Sequence, residues 1–307
     1  MGERRRYRNV AFDSARWEAL DLRDDDIVIS TSPKCGTTWM QMMCALLVFG
    51  TPDLPAPLAV LSPWVDMLTR PLDEVVRDLE GQRHRRFLKT HTPLDGLPFD
   101  PSVTYLHVAR DPRDVALSWD NHFSNMDLGR FIGARVAAVG GDDLAELLPT
   151  GADMVMPADD PAARFWQWVE DATLMGDVSG LRAMVHHSLT FWERRHEPNV
   201  YLFHYGALRA DLPVEMARLA GVLGYGTPSH ELVDAATFEA MRARADELIP
   251  NSDTPFWRDN ARFFDKGRSG AWRELLDEEG ERRYERSVAP LGPPELLAWL
   301  HGGGPVT

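Results

Sequence analysis

The octet Ser32-Pro33-Lys34-Cys35-Gly36-Thr37-Thr38-Trp39 joins an apolar β-branched run, Ile27-Val28-Ile29, to a helical pattern that starts at once. Unpaired N–H groups at a helix N-terminus and the positive end of its dipole both favour an anion there. Gly36 lets a ligand approach the backbone, Lys34 adds a full charge, and Thr37 and Thr38 add hydroxyl donors. The chemistry implied is a P-loop-like phosphate cradle, with a plain strand-to-helix turn as the alternative. The common phosphate loop, G-x-x-x-x-G-K-[ST], puts its lysine after the last glycine and a hydroxyl directly after the lysine. Here Lys34 comes first. Cys35 at a helix N-terminus could serve as a nucleophile, but a Cys-x5-Arg phosphatase needs arginine where Gln41 stands, so Cys35 reads as a small loop filler.

Lys89-Thr90-His91 sets an ammonium and an imidazole two residues apart, on one face of an extended chain. His91 suits a general base, because an ordinary imidazole titrates near neutrality. Arg110 and Ser118 stand eight residues apart, a strand end and the second turn of a helix, two turns advancing about 11 Å. A long arginine reaching forward and a short serine can grip one phosphate. Phe263-Phe264-Asp265-Lys266-Gly267-Arg268-Ser269-Gly270-Ala271-Trp272 is basic, glycine-punctuated and flanked by aromatics, fit to wrap a phosphate or to form an ordinary turn. His84 and His186-His187 lack metal-ligand spacing, so no metal is expected.

Four strands must position these residues. They are Ile27–Ile29, Arg85–His91, which leads into a loop closed by Pro93, Val103–Ala109 and Val200–Tyr205. Helices are expected at 37–49, near 72–80, from Pro112 (with Asp111 as cap) to about Phe123, and at 180–196, 212–223, 229–236, 238–248 and 293–300. Strands separated by helices imply an α/β chain with a mostly parallel central sheet flanked by helices. Such sheets bind ligands at the carboxyl ends of their strands, where Lys34, His91, Arg110 and Tyr205 all fall. Residues 1–307 read as a single domain, with 126–178, rich in Gly, Ala and Asp around Phe165, Trp166 and Trp168, as a mobile insertion or lid. Pro52–Met67, Phe123 and Phe165–Trp168 could line an apolar acceptor pocket or be core.

The 307 residues are 44% hydrophobic and 26% charged, ordinary for a globular chain. A net charge of −14 repels polyanions and argues against nucleic acid as partner, so an anionic cofactor needs a local basic cluster. No apolar run approaches the roughly 20 residues of a membrane span. The basic N-terminus has no apolar signal core behind it, and two cysteines, Cys35 and Cys44, fit a reducing, cytoplasmic setting.

Taken together and in order, these segments resemble the cytosolic-type sulfotransferases, which use 3′-phosphoadenosine 5′-phosphosulfate (PAPS). Ser32–Trp39 resembles their 5′-phosphosulfate loop, usually Tyr-Pro-Lys-Ser-Gly-Thr-Thr-Trp, and Lys89-Thr90-His91-x-Pro93 the segment with their catalytic histidine. Arg110-x7-Ser118 matches their 3′-phosphate segment, and Tyr205 a nucleotide-binding tyrosine. Thr237-Phe238-Glu239-Ala240-Met241 is similar to their adenosine segment, and Lys266-Gly267-x-x-Gly270-x-Trp272 to their C-terminal phosphate turn. The texture of Arg85–Gly96 is especially similar to mycobacterial sulfotransferases for glycolipids. The resemblance implies sulfuryl transfer from PAPS to a hydroxyl or amine of a small-molecule or lipid-linked acceptor. His91 would be the base, Lys34 and Lys89 would act at the sulfuryl centre, and Trp39 and Phe238 would stack on adenine. Arg110, Ser118, Lys266, Gly267 and Arg268 would hold the 3′-phosphate.

The chain departs from that pattern at three places. Cys35 replaces the usual serine, Asp265 stands where an arginine often contacts the 3′-phosphate, and no dimer segment is legible after Trp272, leaving a homodimer open. A magnesium-dependent small-molecule kinase, with Asp111 on the metal, and a non-catalytic nucleotide-binding module are the rival readings.

Overall fold

In the computed structural model, residues 4–148, 157–172, 179–249, 256–264, 269–304 and 306 are described. Four short strands form one sheet because their residues are apolar on both faces. They are β1 (Ile27–Ser30), β2 (Phe87–Thr90), β3 (Thr104–Ala109) and β4 (Val200–His204), and only Thr104 and Tyr201 escape full burial. All pairs are parallel in the order β2-β1-β3-β4, with Ile27 opposite Phe87 and Thr104, and Tyr105 opposite Val200. Alternation sends Ile27, Ile29, Phe87, Leu106, Val108 and Phe203 to one core, and Val28, Leu88, Tyr105 and Leu202 to the other.

The helices of nine residues or more among the described residues are α1 (Thr37–Phe49), α2 (Leu72–Gly81), α3 (Pro112–Asn125), α4 (Leu128–Val139), α5 (Pro161–Val169), α6 (Leu181–Trp192), α7 (Leu212–Val222), α8 (Glu278–Val288) and α9 (Pro294–Gly302). Met40, Met43 and Leu46 of α1, with Met216 and Leu219 of α7, cover the first face. Phe131, Phe165, Trp168, Met184 and Phe191 cover the second. Helix α1 is apolar nearly all round and buried accordingly. Among the described residues, no helix is long and apolar enough to cross a membrane.

The expected strands and most expected helices are present, with three differences. Helix α6 ends at Trp192, and the residues to 196 form turns. The helix expected over 238–248 divides at Arg244, whose guanidinium turns to the Pro52 carbonyl at 2.9 Å, leaving Phe238–Ala243 and Ala245–Leu248. Helix α8 was not legible, because Tyr284 and Val288 are the buried positions in an otherwise charged stretch. Within 126–178, α4, α5 and the short helix Leu144–Leu147 are described, and 149–156 and 173–178 lie outside the described residues. Phe165 and Trp168 belong to the core rather than to a pocket.

Between the sheet and α6 lies a polar island. His107 donates from Nδ1 to the Ser30 carbonyl at 3.0 Å and stacks on Phe191, and His187 Nε2 sits 2.8 Å from the Ser30 hydroxyl. Burial holds the His107 imidazole down to about 4 and that of His187 well below its usual value. The unfolded chain takes up protons on both below about pH 6.5 while the folded chain does not, so acid favours unfolding. We expect stability to be full above about pH 7 and to fall by about 1.4 kcal/mol per pH unit per imidazole toward pH ~4. Urea unfolding across this window tests it, and a flat profile would show that the two rings are protonated in the fold.

Candidate active site

The order β2-β1-β3-β4 reverses direction between β1 and β3, and a crevice opens at their carboxyl ends. A cavity of about 710 Å³ fills it. Its lining joins all four loaded strand ends, Lys34, His91, Arg110 and Tyr205, with Gly36, Thr37, Thr38, Trp39, Lys89, Ser118 and Phe238.

The loop after β1 is held in an unusual backbone shape. Lys34 has φ 67° and Gly36 φ 110°, both left-handed as in the turns that build anion nests, and the Cys35 N–H between them closes the turn onto the Ser32 carbonyl at 3.4 Å. The φ of Gly36 favours glycine there, and a Cβ would press on the Tyr205 ring at 3.1 Å. Arg110 locks the loop by donating to the Lys34 carbonyl at 3.2 Å, its guanidinium 4.3 Å over the Tyr205 ring. Trp39 meets the same ring edge-on at 5.4 Å and donates to the Ala236 carbonyl at 2.8 Å. These contacts leave a pocket walled by Trp39, Phe238, Met241 and Phe264 beside Arg110 and Ser118.

Cys35 turns the other way. Its side chain is buried in the core under the sheet, and burial pushes the thiol up to about 12, which rules out a thiolate nucleophile. Only its backbone can face a ligand. Thr237 is not at the cavity wall either; its hydroxyl caps Phe238–Ala243, accepting from the Ala240 N–H at 3.3 Å and donating to the Asp234 carbonyl at 2.8 Å. Lys266, Gly267 and Arg268, with Asp265, lie outside the described residues. Asp114 anchors the adjoining turn, both its carboxylate oxygens accepting the Gly270 N–H at 2.9 and 3.0 Å.

On the other side of the cavity, His91 donates from Nδ1 to the Thr31 carbonyl at 2.6 Å. A carbonyl cannot donate, so the tautomer is fixed and Nε2 keeps its lone pair. Burial, with the charges of Lys89 and Lys34, holds this imidazole down to about 3. Lys89 is buried, 4.5 Å over the Trp64 ring, and burial lowers its ammonium to about 8 against the pull of Asp66.

Asp66 was invisible as a site residue. The segment Pro63–Asp66 runs beside the end of β2, the Lys89 N–H donating to Pro63 at 3.1 Å. Asp66 Oδ2 thereby accepts from Thr90 and Thr92, each at 2.6 Å, and from Trp17 at 3.0 Å. The two threonines flank His91, so one fully buried carboxylate clamps the chain on both sides of it. Of the expected apolar wall, Trp64 and Met67 line the cavity, and Trp119, Met126, Phe131, Phe256, Trp257 and Phe263 join them; Phe123 does not. Among the described residues, no group of three or more His, Cys, Asp or Glu converges as metal ligands do.

A profile of the sulfotransferase domain matches residues 24–293. A glycolipid sulfotransferase of Mycobacterium bovis (strain BCG / Pasteur 1173P2) is 42% identical over 315 residues, covering 99% of this chain and 96% of that protein. Among solved structures, retinol dehydratase with retinol and PAP superposes with a TM-score of 0.65 at 21% identity, covering 91% of this chain and 86% of the other. Mouse sulfotransferase SULT7A1 with PAP gives 0.67 at 18% identity, covering 93% and 90%. These two likenesses bear on the fold.

Replacing Asp66 with alanine should strand two hydroxyls and an indole N–H in a dry site and lower stability by about 3 kcal/mol. Urea unfolding measures it, and a loss under about 1 kcal/mol would mean the threonines find other partners.

Proposed function

Because the chain belongs to the sulfotransferase domain family, we propose that its cavity transfers a sulfuryl group from PAPS to a hydroxyl or amine of a small-molecule or glycolipid acceptor. The observation that carries this reading is the meeting of a nest-type turn, two lysines and a tautomer-fixed histidine in one cavity.

The residues fit the nucleotide. The left-handed Lys34–Gly36 turn offers backbone N–H groups to the 5′-phosphosulfate, Trp39 and Phe238 flank a slot for adenine, and Arg110 with Ser118 faces the 3′-phosphate. Lys266, Gly267 and Arg268, outside the described residues, are the sequence's further candidates for that phosphate. Bound there, PAPS supplies the sulfuryl group and a phosphate leaving group. His91 Nε2 takes the acceptor's proton as the acceptor oxygen closes on sulfur. Lys34 and the loop N–H groups meet the charge that gathers on the 5′-phosphate oxygen as its bond to sulfur breaks. The Lys89 ammonium orients the sulfuryl oxygens. Burial first and the two ammonium groups second make His91 a weak base, and a polyanion seated beside the ammonium groups offsets their part and raises its basicity.

The acceptor enters from the side of Trp64, Met67, Phe131 and Trp257. Met126, Phe131 and Pro161 line the cavity from within 126–178, which supports that segment as its cover. The mycobacterial relative's name and this apolar wall support a glycolipid or similar amphipathic acceptor. Two buried free cysteines suit a cytoplasmic setting.

Calorimetry with adenosine 3′,5′-bisphosphate in the absence of metal, beside ATP with magnesium, decides the reading. Preference for the bisphosphate supports it, and preference for ATP with magnesium would move the chain to a kinase. His91→Ala should lower turnover by about 100-fold or more, with bisphosphate affinity measured alongside; near-native turnover would remove His91 from the chemistry. Bisphosphate binding should also raise the His91 pKa from its low value, read by NMR titration, and an unchanged value would place the nucleotide elsewhere.

A further inference from the structure

One polar group in the cavity wall has no part in that chemistry. His122 sits one turn beyond Ser118 on the same face of α3, its ring 4.6 Å from Trp257, 5.6 Å from Trp119 and 5.8 Å from Phe263. Its Nδ1 lies 3.2 Å from the Lys34 ammonium. An ammonium has donors only, so Nδ1 must carry the lone pair. Burial, with Lys34, Lys89 and His91 nearby, holds the imidazole well below its usual value and therefore neutral. The proton is on Nε2. Among the described residues, none accepts a hydrogen bond from that N–H, although the ring belongs to the cavity wall.

The two cavity imidazoles thus carry opposite tautomers. His91 presents a bare Nε2 and accepts; His122 presents Nε2–H and donates. One hydroxyl can donate to His91 and accept from His122 at once, but an N–H donated to the attacking oxygen draws on the electrons that must reach sulfur, so the His122 donor serves the transfer best when it goes to a different oxygen. A molecule with two or more oxygens, giving a proton to His91 through one and taking the His122 N–H on another, is oriented by both. The aromatic faces of Trp119 and Trp257 suit the C–H face of a sugar ring between such oxygens.

We propose that His122 is a specificity-determining residue of the acceptor site, donating from Nε2 to a second oxygen and selecting glycosides and other polyols over acceptors with one hydroxyl. This rests on the sulfuryl-transfer reading.

The test compares octyl β-glucoside below its micellar concentration with 2-naphthol, which has one oxygen, as acceptors with PAPS. In His122→Phe, the ratio of kcat/KM for the glucoside over naphthol should fall about tenfold, the worth of one hydrogen bond. His122→Gln, which restores an N–H donor, should recover the ratio to within about threefold. Glucoside binding to the protein loaded with adenosine 3′,5′-bisphosphate, read by tryptophan fluorescence, should weaken in His122→Phe by the same factor. An unchanged ratio and unchanged glucoside binding would overturn the proposal. So would a loss of bisphosphate affinity as large as the loss for glucoside, which would make His122 a prop for Lys34. If the unmodified protein sulfates neither compound, the transfer reading fails, while the binding comparison still decides the role of His122.

Discussion

Parallel pairing is the constraint on which the site depends. With every strand running the same way and Ile27 in register with both Phe87 and Thr104, the chain must leave the sheet four times along one edge. Whatever follows each strand is delivered to that edge. Lys34, His91, Arg110 and Tyr205 come from positions up to 171 residues apart in the chain and still face one cavity. The sheet is only four strands wide, so there is little room to spread them. Geometry of this kind needs no contact between the residues themselves.

Once gathered, the groups are tuned by exclusion of water. The same burial that lowers the Lys89 ammonium keeps His91 and His122 neutral, and it also keeps the charge on Asp66 costly unless Thr90, Thr92 and Trp17 turn their hydrogens to it. Lysine charge and histidine neutrality are coupled, because each ammonium discourages a proton on the rings beside it. The tautomers then follow from single neighbours, a carbonyl for His91 and an ammonium for His122. Proton positions in the cavity are thus set by the Thr31 carbonyl just after β1 and by one lysine.

The sheet and the nest could be read from the sequence because their signals are local. Asp111-Pro112 announces α3, Gly50 ends α1 in the left-handed conformation, and the turn from Ser32 to Gly36 lies between an apolar run and a helix. The same Asp-Pro signal at Asp160-Pro161 opens α5, but glycine and alanine around it hid the pattern. Helix α8 was lost for the opposite reason, since a helix with a narrow apolar stripe and many charges looks like a solvated stretch. Asp66 and His122 were illegible for a different cause. Their partners lie 24 to 88 residues away, and neither the pairing of Pro63 with Lys89 nor the reach of Lys34 leaves a mark in local spacing. The burial of Cys35 and the use of the Thr237 hydroxyl as a cap show the limit of matching by position, for a residue can occupy a binding segment and face away from it.

The crowding of positive charge in the cavity also bears on how long the folded chain lasts. Lys34 and Lys89 both bear on the His91 and His122 rings, inside a protein whose net charge is −14. Any polyanion that seats beside them gains their attraction in the native state and has no such site on the unfolded chain. By mass action it shifts the balance toward the fold, by about 2.7 kcal/mol at a hundredfold excess over its dissociation constant. Proteases act on opened chains, so the lifetime of this protein rises and falls with the supply of the anion it consumes.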